Sequence, residues 1–128
     1  MTARGRLDVL IVEERPLDGM DLEEAVVLAG HQVIGWATSL QNAMALVEAR
    51  PPDVAFINPR LRDGDTGIEL ARRLSKRGIA VVMTTADPNH VGNLEHIVGV
   101  MPKPLVIETM QQVLAMLEGG EAEPDTQP

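Results

Sequence analysis

Apolar residues fall in short runs separated by amphipathic stretches. Leu7–Val12, Val33–Ala37, Asp53–Ile57, Ile79–Thr84 and Val98–Met101 have the length of strands, and their residues are mostly aliphatic and β-branched. Polar alternation is scarce within them, as in parallel strands covered on both faces. Between the runs the period becomes helical. Pro16 opens a helix through Leu22, Ala25, Val26 and Leu28, with Gly30 as its C-cap. Ser39 N-caps a second, whose Leu40, Ala43, Met44, Leu46 and Val47 keep i, i+3, i+4 spacing until Pro51-Pro52 stops it. A third, from about Gly67 to Gly78, carries Ile68, Leu70, Ala71 and Leu74. The fourth lies within Pro88–His96 and has the weakest pattern. The fifth runs from about Val106 through Ile107, Met110, Val113, Leu114 and Leu117 to Gly119.

Five strands alternating with five helices predict an α/β fold, a doubly wound (βα)5 three-layer sandwich around a parallel five-stranded sheet. Right-handed crossovers leave few arrangements, and the flavodoxin-like strand order 2-1-3-4-5 is the expected one. Residues 1–118 make up this domain. Residues 119–128 turn to Gly, Glu, Pro and Asp with nothing to bury, and are expected to be a disordered acidic tail.

Composition sharpens this reading. A chain of 128 residues, 45% apolar and without cysteine, fits one domain with a core of its own and no disulfide framework, thiolate metal site or thiol nucleophile. Lack of cysteine is compatible with a reducing, cytoplasmic compartment. Apolar runs such as Val9–Val12 fall far below the ~20 residues of a membrane span. A net charge of -8 argues against nucleic-acid binding. Arg72, Arg73, Lys76 and Arg77 form a basic cluster, but cations at a helix end complement its dipole and no aromatics accompany these. Trp36 and Phe56 are the only aromatics, so the core is expected to be aliphatic. The methionines are expected mostly at core-facing helix positions. His31, His90 and His96 lack metal-ligand spacing and are expected on the surface.

In open parallel sheets, ligands bind at the carboxyl ends of the strands, where the strand order reverses. That rule selects Glu13 and Glu14 after strand one, Asn58 after strand three, Thr84 and Thr85 at the end of strand four, and Lys103 after strand five. Paired carboxylates suit a hard cation such as Mg²⁺. A hydroxyl and an ammonium suit phosphoryl oxygens. Asp63 and Asp65, in the loop after Asn58, read as turn formers and a cap for the helix at Gly67 rather than as phosphate acceptors.

VLIVEE followed by Pro16, FINPRLRDGDTGIELARRL, VVMTTAD and the Lys103-Pro104 step resemble the receiver domain of two-component response regulators, over about Leu7–Leu117. The resemblance implies a phosphorelay module, not an enzyme. Glu13 and Glu14 would stand at its Mg²⁺-holding acidic pair, and Thr85 and Lys103 at its phosphate contacts. Asn58 stands at its phospho-acceptor aspartate. Val100 occupies the position of the aromatic that swings inward on activation. An amide has neither the charge nor the free lone pair of a carboxylate nucleophile. The acceptor position is therefore substituted, the acidic pair vestigial and the switch position substituted. No cofactor is expected, and Mg²⁺ would bind only weakly. Lys103 is expected to turn its ammonium toward Glu13 or Glu14, because these carboxylates lack another counter-charge.

The function expected is that of an atypical receiver acting by protein–protein contact without phosphorylation. Its partner would be a sensor histidine kinase or another regulator, with no nucleic acid and no membrane. A homodimer through the helix 4–strand 5–helix 5 face is compatible with the reading. One alternative is an ordinary phosphorelay receiver in which Asn58 is an engineered aspartate replacement. Another is a small enzyme on a flavodoxin-like fold, but the cleft offers no nucleophile, and Pro16 and Leu17 stand where a phosphate loop would follow strand one.

Overall fold

The computed structural model describes residues 6–91 and 97–119. The elements follow in the order β1 (Asp8–Val12), α1 (Pro16–Leu28), β2 (Gln32–Ala37), α2 (Leu40–Ala49), β3 (Val54–Ile57), α3 (Gly67–Lys76), β4 (Ala80–Thr85), α4 (Pro88–Val91), β5 (Gly99–Pro102) and α5 (Ile107–Gly119). The strands pair in parallel in the order β2-β1-β3-β4-β5, as the alternating pattern predicts. Residues 120–128, assigned to the tail, and most of the expected fourth helix, including His96, lie outside the described residues.

The two-residue period of each strand divides the core in two. Val9 and Ile11 of β1, Val54 and Phe56 of β3 and Val82 of β4 face Leu22, Ala25 and Val26 of α1 and Met110 and Leu114 of α5. Leu10, Val12, Ala55, Ile57, Val81 and Met83 face Ala43 and Val47 of α2 and Leu70, Ala71 and Leu74 of α3. Both strand faces are covered, which is why the strands read as continuous apolar runs. Among the described residues, no helix is long and apolar enough to cross a membrane.

Local signals set the helix ends. Pro16 is the first residue of α1. At its far end Ala29 is the cap and Gly30 follows it, at φ 90°. The Gly30 and His31 amides donate to Val27 and Val26, a Schellman closure. The same closure ends α3, where the Gly78 and Ile79 amides donate to Ser75 and Leu74. Ser39 caps α2, its hydroxyl accepting from the Asn42 amide at 3.1 Å.

Two expectations about burial fail. His31 is buried, not exposed. Its Nδ1 accepts from the Leu7 amide at 3.0 Å, and its Nε2 lies 3.1 Å from a Glu118 carboxylate oxygen. The buried methionines include Met83 and Met101 on strands, whereas Met20 and Met116 on helices are exposed. Trp36, partly exposed on the edge strand, takes its place through a register slip of β2 against β1, which pairs Val33 with Val9 but Gly35 with Leu10. The extra residue, Ile34, puts Trp36 opposite Ile11, on the α1 side of the sheet.

There the Trp36 indole lies directly on Gly19 of α1, in space that a Cβ would need. Its Nε1 donates to the Glu13 carbonyl at 3.0 Å. Gly19→Ala is favourable by helix propensity alone, by about 0.5–1 kcal/mol. Overlap with the indole reverses the sign, and the variant should lose about 1–3 kcal/mol in urea unfolding. The emission of the single tryptophan should shift to the red. A stabilised variant with unchanged emission would refute the contact.

Candidate functional site

The carboxyl ends of β1, β3, β4 and β5 open on a cleft of about 400 Å³ lined by Glu14, Arg15, Asn58, Arg60, Thr85 and Lys103, among others. Four of the positions selected from sequence line this cleft, and Glu13 is hydrogen-bonded to two of them, Asn58 and Lys103. Their roles are unequal. Glu13 is fully buried, and Glu14, the next residue along the chain, is exposed on the cleft wall.

The Glu13 carboxylate is the hub. The Asn58 amide donates to both its oxygens, at 3.1 and 3.0 Å. Lys103 Nζ donates to Oε1 at 2.8 Å and the Arg15 amide to Oε2 at 3.1 Å. The lysine thus turns to Glu13, as expected for a carboxylate with no other charged partner. The Asn58 carbonyl oxygen faces the other way and accepts from the Arg60 amide at 3.0 Å. Adjacent strands bring Glu13 and Asn58 together, because β1 pairs with β3 in register from Val9–Val54 to Val12–Ile57. Lys103 is carried in by β5, its amide continuing the ladder to the Thr85 carbonyl at 2.9 Å.

Thr85 is buried at the cleft, but its hydroxyl serves its own loop. It accepts from the Asp87 amide at 3.0 Å and donates to the Asp87 carbonyl at 3.2 Å. Val100 lies on β5 opposite Met83 and is half-exposed. The buried Thr84 hydroxyl has no partner among the described residues.

Sequence reasoning missed Asp18. It is the third residue of α1, and its carboxylate accepts from Lys103 Nζ at 2.7 Å. A helix that begins at the end of a cleft strand brings its first turn over the cleft, so a carboxylate there was the available signal.

The aspartates after Asn58 also differ from expectation. Asp63 caps α2 rather than α3: its carboxylate accepts from the Leu40 amide at 3.1 and 3.2 Å and from the Thr66 hydroxyl at 2.6 Å. The Thr66 hydrogen bond holds the Asp63 carboxyl below its ordinary range against an opposing desolvation cost, with help from the Leu40, Asp63 and Gln41 amides. Asp65 pairs with Arg60 at 3.6 Å. The basic cluster of α3 is largely paired as well, Arg72 and Arg73 with Glu69 and Arg77 with Glu48.

Asp63→Ala should cost about 1 kcal/mol at neutral pH, as loss of a helix cap does. A depressed pKa adds stability above the unfolded value and loses it as pH falls through the folded one. The gap between wild type and Asp63→Ala in urea midpoints should therefore be full above about pH 4 and close below it. A gap that persists into stronger acid would show that the carboxylate charge plays no part.

The family model of the response regulator receiver domain matches residues 9–115. The chain is 35% identical over 83 residues to the phyllosphere-induced regulator PhyR of Methylorubrum extorquens, a match covering 63% of this chain and 31% of that protein. It is 34% identical over 79 residues to the transcriptional regulatory protein PdtaR of Mycobacterium tuberculosis, covering 61% of this chain and 38% of that one. The matched segments thus span well under half of these curated relatives. Among solved structures, the PhyR receiver domain of Erythrobacter litoralis superimposes with a TM-score of 0.81 at 27% identity, over 90% of this chain and 92% of that one. The family match runs from β1 into α5 and takes in every element that supplies the cleft, so the chain belongs to the response regulator receiver domain family.

Proposed function

We propose that this receiver domain works by protein contact and does not pass through an aspartyl phosphate. One observation carries the reading: at the position of the phosphoryl acceptor stands an amide, Asn58, whose NH2 group faces the Glu13 carboxylate. A nucleophile needs an electron pair free to attack phosphorus, and a neutral amide lacks it. The lysine and the threonine hydroxyl that would meet phosphoryl oxygens are engaged by Glu13 and Asp18 and by Asp87.

The donor set also fits Mg²⁺ poorly. That ion demands near-octahedral oxygen ligands. Glu13 is occupied by an amide, an ammonium and a backbone N–H, and Asn58 turns its amide nitrogen to the hub. Glu14 alone of the acidic pair is exposed. The metal pair is on this reading vestigial, and no step of the function is routed through an ion.

The partner would be a sensor histidine kinase or another regulator, met in the cytoplasm. Both curated relatives are named as regulators. The side of the domain formed by α4, β5 and α5 supports contact, since Val98, Val100, Val106 and Ile107 expose apolar surface there. Val100 is a β-branched aliphatic with no aromatic swing to report an event in the cleft. A second copy of the chain is an alternative occupant of the same face.

Incubation with acetyl phosphate and Mg²⁺, followed by intact mass, tests the reading. The unaltered chain should gain no phosphoryl group, Asn58→Asp should gain one slowly, and Asn58→Asp with Glu14→Asp faster. Asn58→Asp also sets a carboxylate against Glu13 in place of a donor. In EDTA it should lose about 1–3 kcal/mol, part of which Mg²⁺ restores, while the unaltered chain should ignore Mg²⁺. Stoichiometric phosphorylation of the unaltered chain would overturn the proposal. An Asn58→Asp variant as fast as ordinary receivers would favour a phosphorelay receiver whose aspartate had been replaced by design.

A further inference from the structure

Lys103 is nearly enclosed, its side chain 13% exposed, and an enclosed ammonium needs carboxylate partners. Residue 58 offers none. The Asn58 nitrogen points at Glu13 and its oxygen takes the Arg60 amide, so neither end of this side chain is turned to the lysine. Glu13 alone would be a divided partner, since it also accepts from Asn58 and the Arg15 amide. The remaining carboxylate comes from a different element. Asp18 of α1, 29% exposed and 85 residues away in sequence, holds Lys103 Nζ at 2.7 Å.

We propose that Asp18 is a positioning residue that takes over the lysine from position 58, holding the Lys103 ammonium on the α1 side of the cleft. It thereby bridges α1 to the loop after β5 without a phosphoryl group. This inference rests on the proposed function for its meaning but not for its geometry.

Several features favour Asp18 for this task. It stands in the first turn of α1, where the helix dipole favours a carboxylate. Its neighbour Leu22, one turn on, is fully buried, so α1 is fixed against the sheet and Asp18 is presented from a rigid element. The lysine ammonium has three donors, and the two carboxylates lie just after β1 and in α1, both N-terminal to it in the chain. A lysine so held is bound in the unphosphorylated domain to a place that phosphoryl oxygens would otherwise have to win. Restoring an aspartate at position 58 therefore does not by itself restore a free lysine.

Amine labelling of the unaltered chain tests this without any phosphoryl donor. Lys76 and Lys103 are its only lysines, and Lys76 is exposed on α3, so it serves as an internal reference in reductive methylation read by peptide mass. Asp18→Asn should raise the Lys103-to-Lys76 labelling ratio about fivefold or more, the factor that corresponds to loss of roughly 1 kcal/mol of pairing. Asp18→Glu, which keeps the charge, and Asp21→Asn, a charge loss in the same helix, should leave it nearly unchanged. Asp18→Ser is the second route if the asparagine variant does not fold. The companion measurement is a rate. In the Asn58→Asp background, the new carboxylate oxygen bonds to phosphorus as acetate leaves acetyl phosphate. Adding Asp18→Asn should speed this several-fold, and adding Asp21→Asn should not.

An unchanged labelling ratio in both Asp18→Asn and Asp18→Ser would overturn the inference, as would an Asp21→Asn effect of equal size, which would reduce it to bulk charge. The outcomes separate from those of the proposed function. Phosphorylation of the unaltered chain with Lys103 still held by Asp18 would overturn only that earlier reading. An unphosphorylated chain whose Lys103 ignores Asp18 would overturn only this one.

Discussion

A fully buried carboxylate, Glu13, is the constraint around which the carboxyl end of the sheet is arranged. Leaving such a group unpaired in a protein interior costs several kcal/mol. Its partners are drawn from separate parts of the chain: the Asn58 amide after β3, the Lys103 ammonium after β5 and the Arg15 amide of its own turn. The Trp36 indole adds a hydrogen bond to the Glu13 carbonyl, tying β2 to the same point. Each partner is then held by another group, Lys103 by Asp18 and the Asn58 oxygen by the Arg60 amide. The residues at the base of the cleft are tied together by hydrogen bonds among themselves.

That network bears on what a receiver scaffold can do here. A site for phosphoryl transfer needs a nucleophile, donors free for a cation and a positive group able to meet the moving charge. The same positions in this chain are filled by groups that satisfy one another. On the proposed reading the fold is kept while the chemistry of its mouth changes, which is the sense in which function lies in a site rather than in the fold. Asparagine has nearly the volume of aspartate, so either residue at position 58 is compatible with the two halves of the core on either side of β3.

The polar residues away from the cleft do a related job of joining distant segments. Asp63 sews the loop after β3 to the start of α2, with the Arg62 amide donating to the Thr38 carbonyl beside it. Gly67 allows the start of α3 to lie against the Asn58 and Pro59 backbone, where a Cβ would collide. The Gly67 amide donates to the Pro59 carbonyl at 3.0 Å, so the loop carrying Asn58 is braced from behind. His31 links the end of α1 to the start of β1 and lies against Glu118 near the end of α5.

The sequence by itself determined the alternation of strands and helices, their order in the sheet, the helix ends marked by Pro16, Ser39, Gly30 and Gly78, and the shortlist of Glu13, Asn58 and Lys103. These follow from local rules: the two-residue and 3.6-residue periods, the backbone freedom of glycine, and the tendency of parallel sheets to gather function at their carboxyl ends. Only the tertiary structure decided which donor meets which acceptor. Asp18 finds Lys103 85 residues away, Asp63 caps a helix 23 residues upstream, and His31 goes inside. Trp36 changes side through one slipped residue in β2. Periodicity records how a segment turns its faces. It carries no record of the distance between two polar groups that meet only after the sheet has closed.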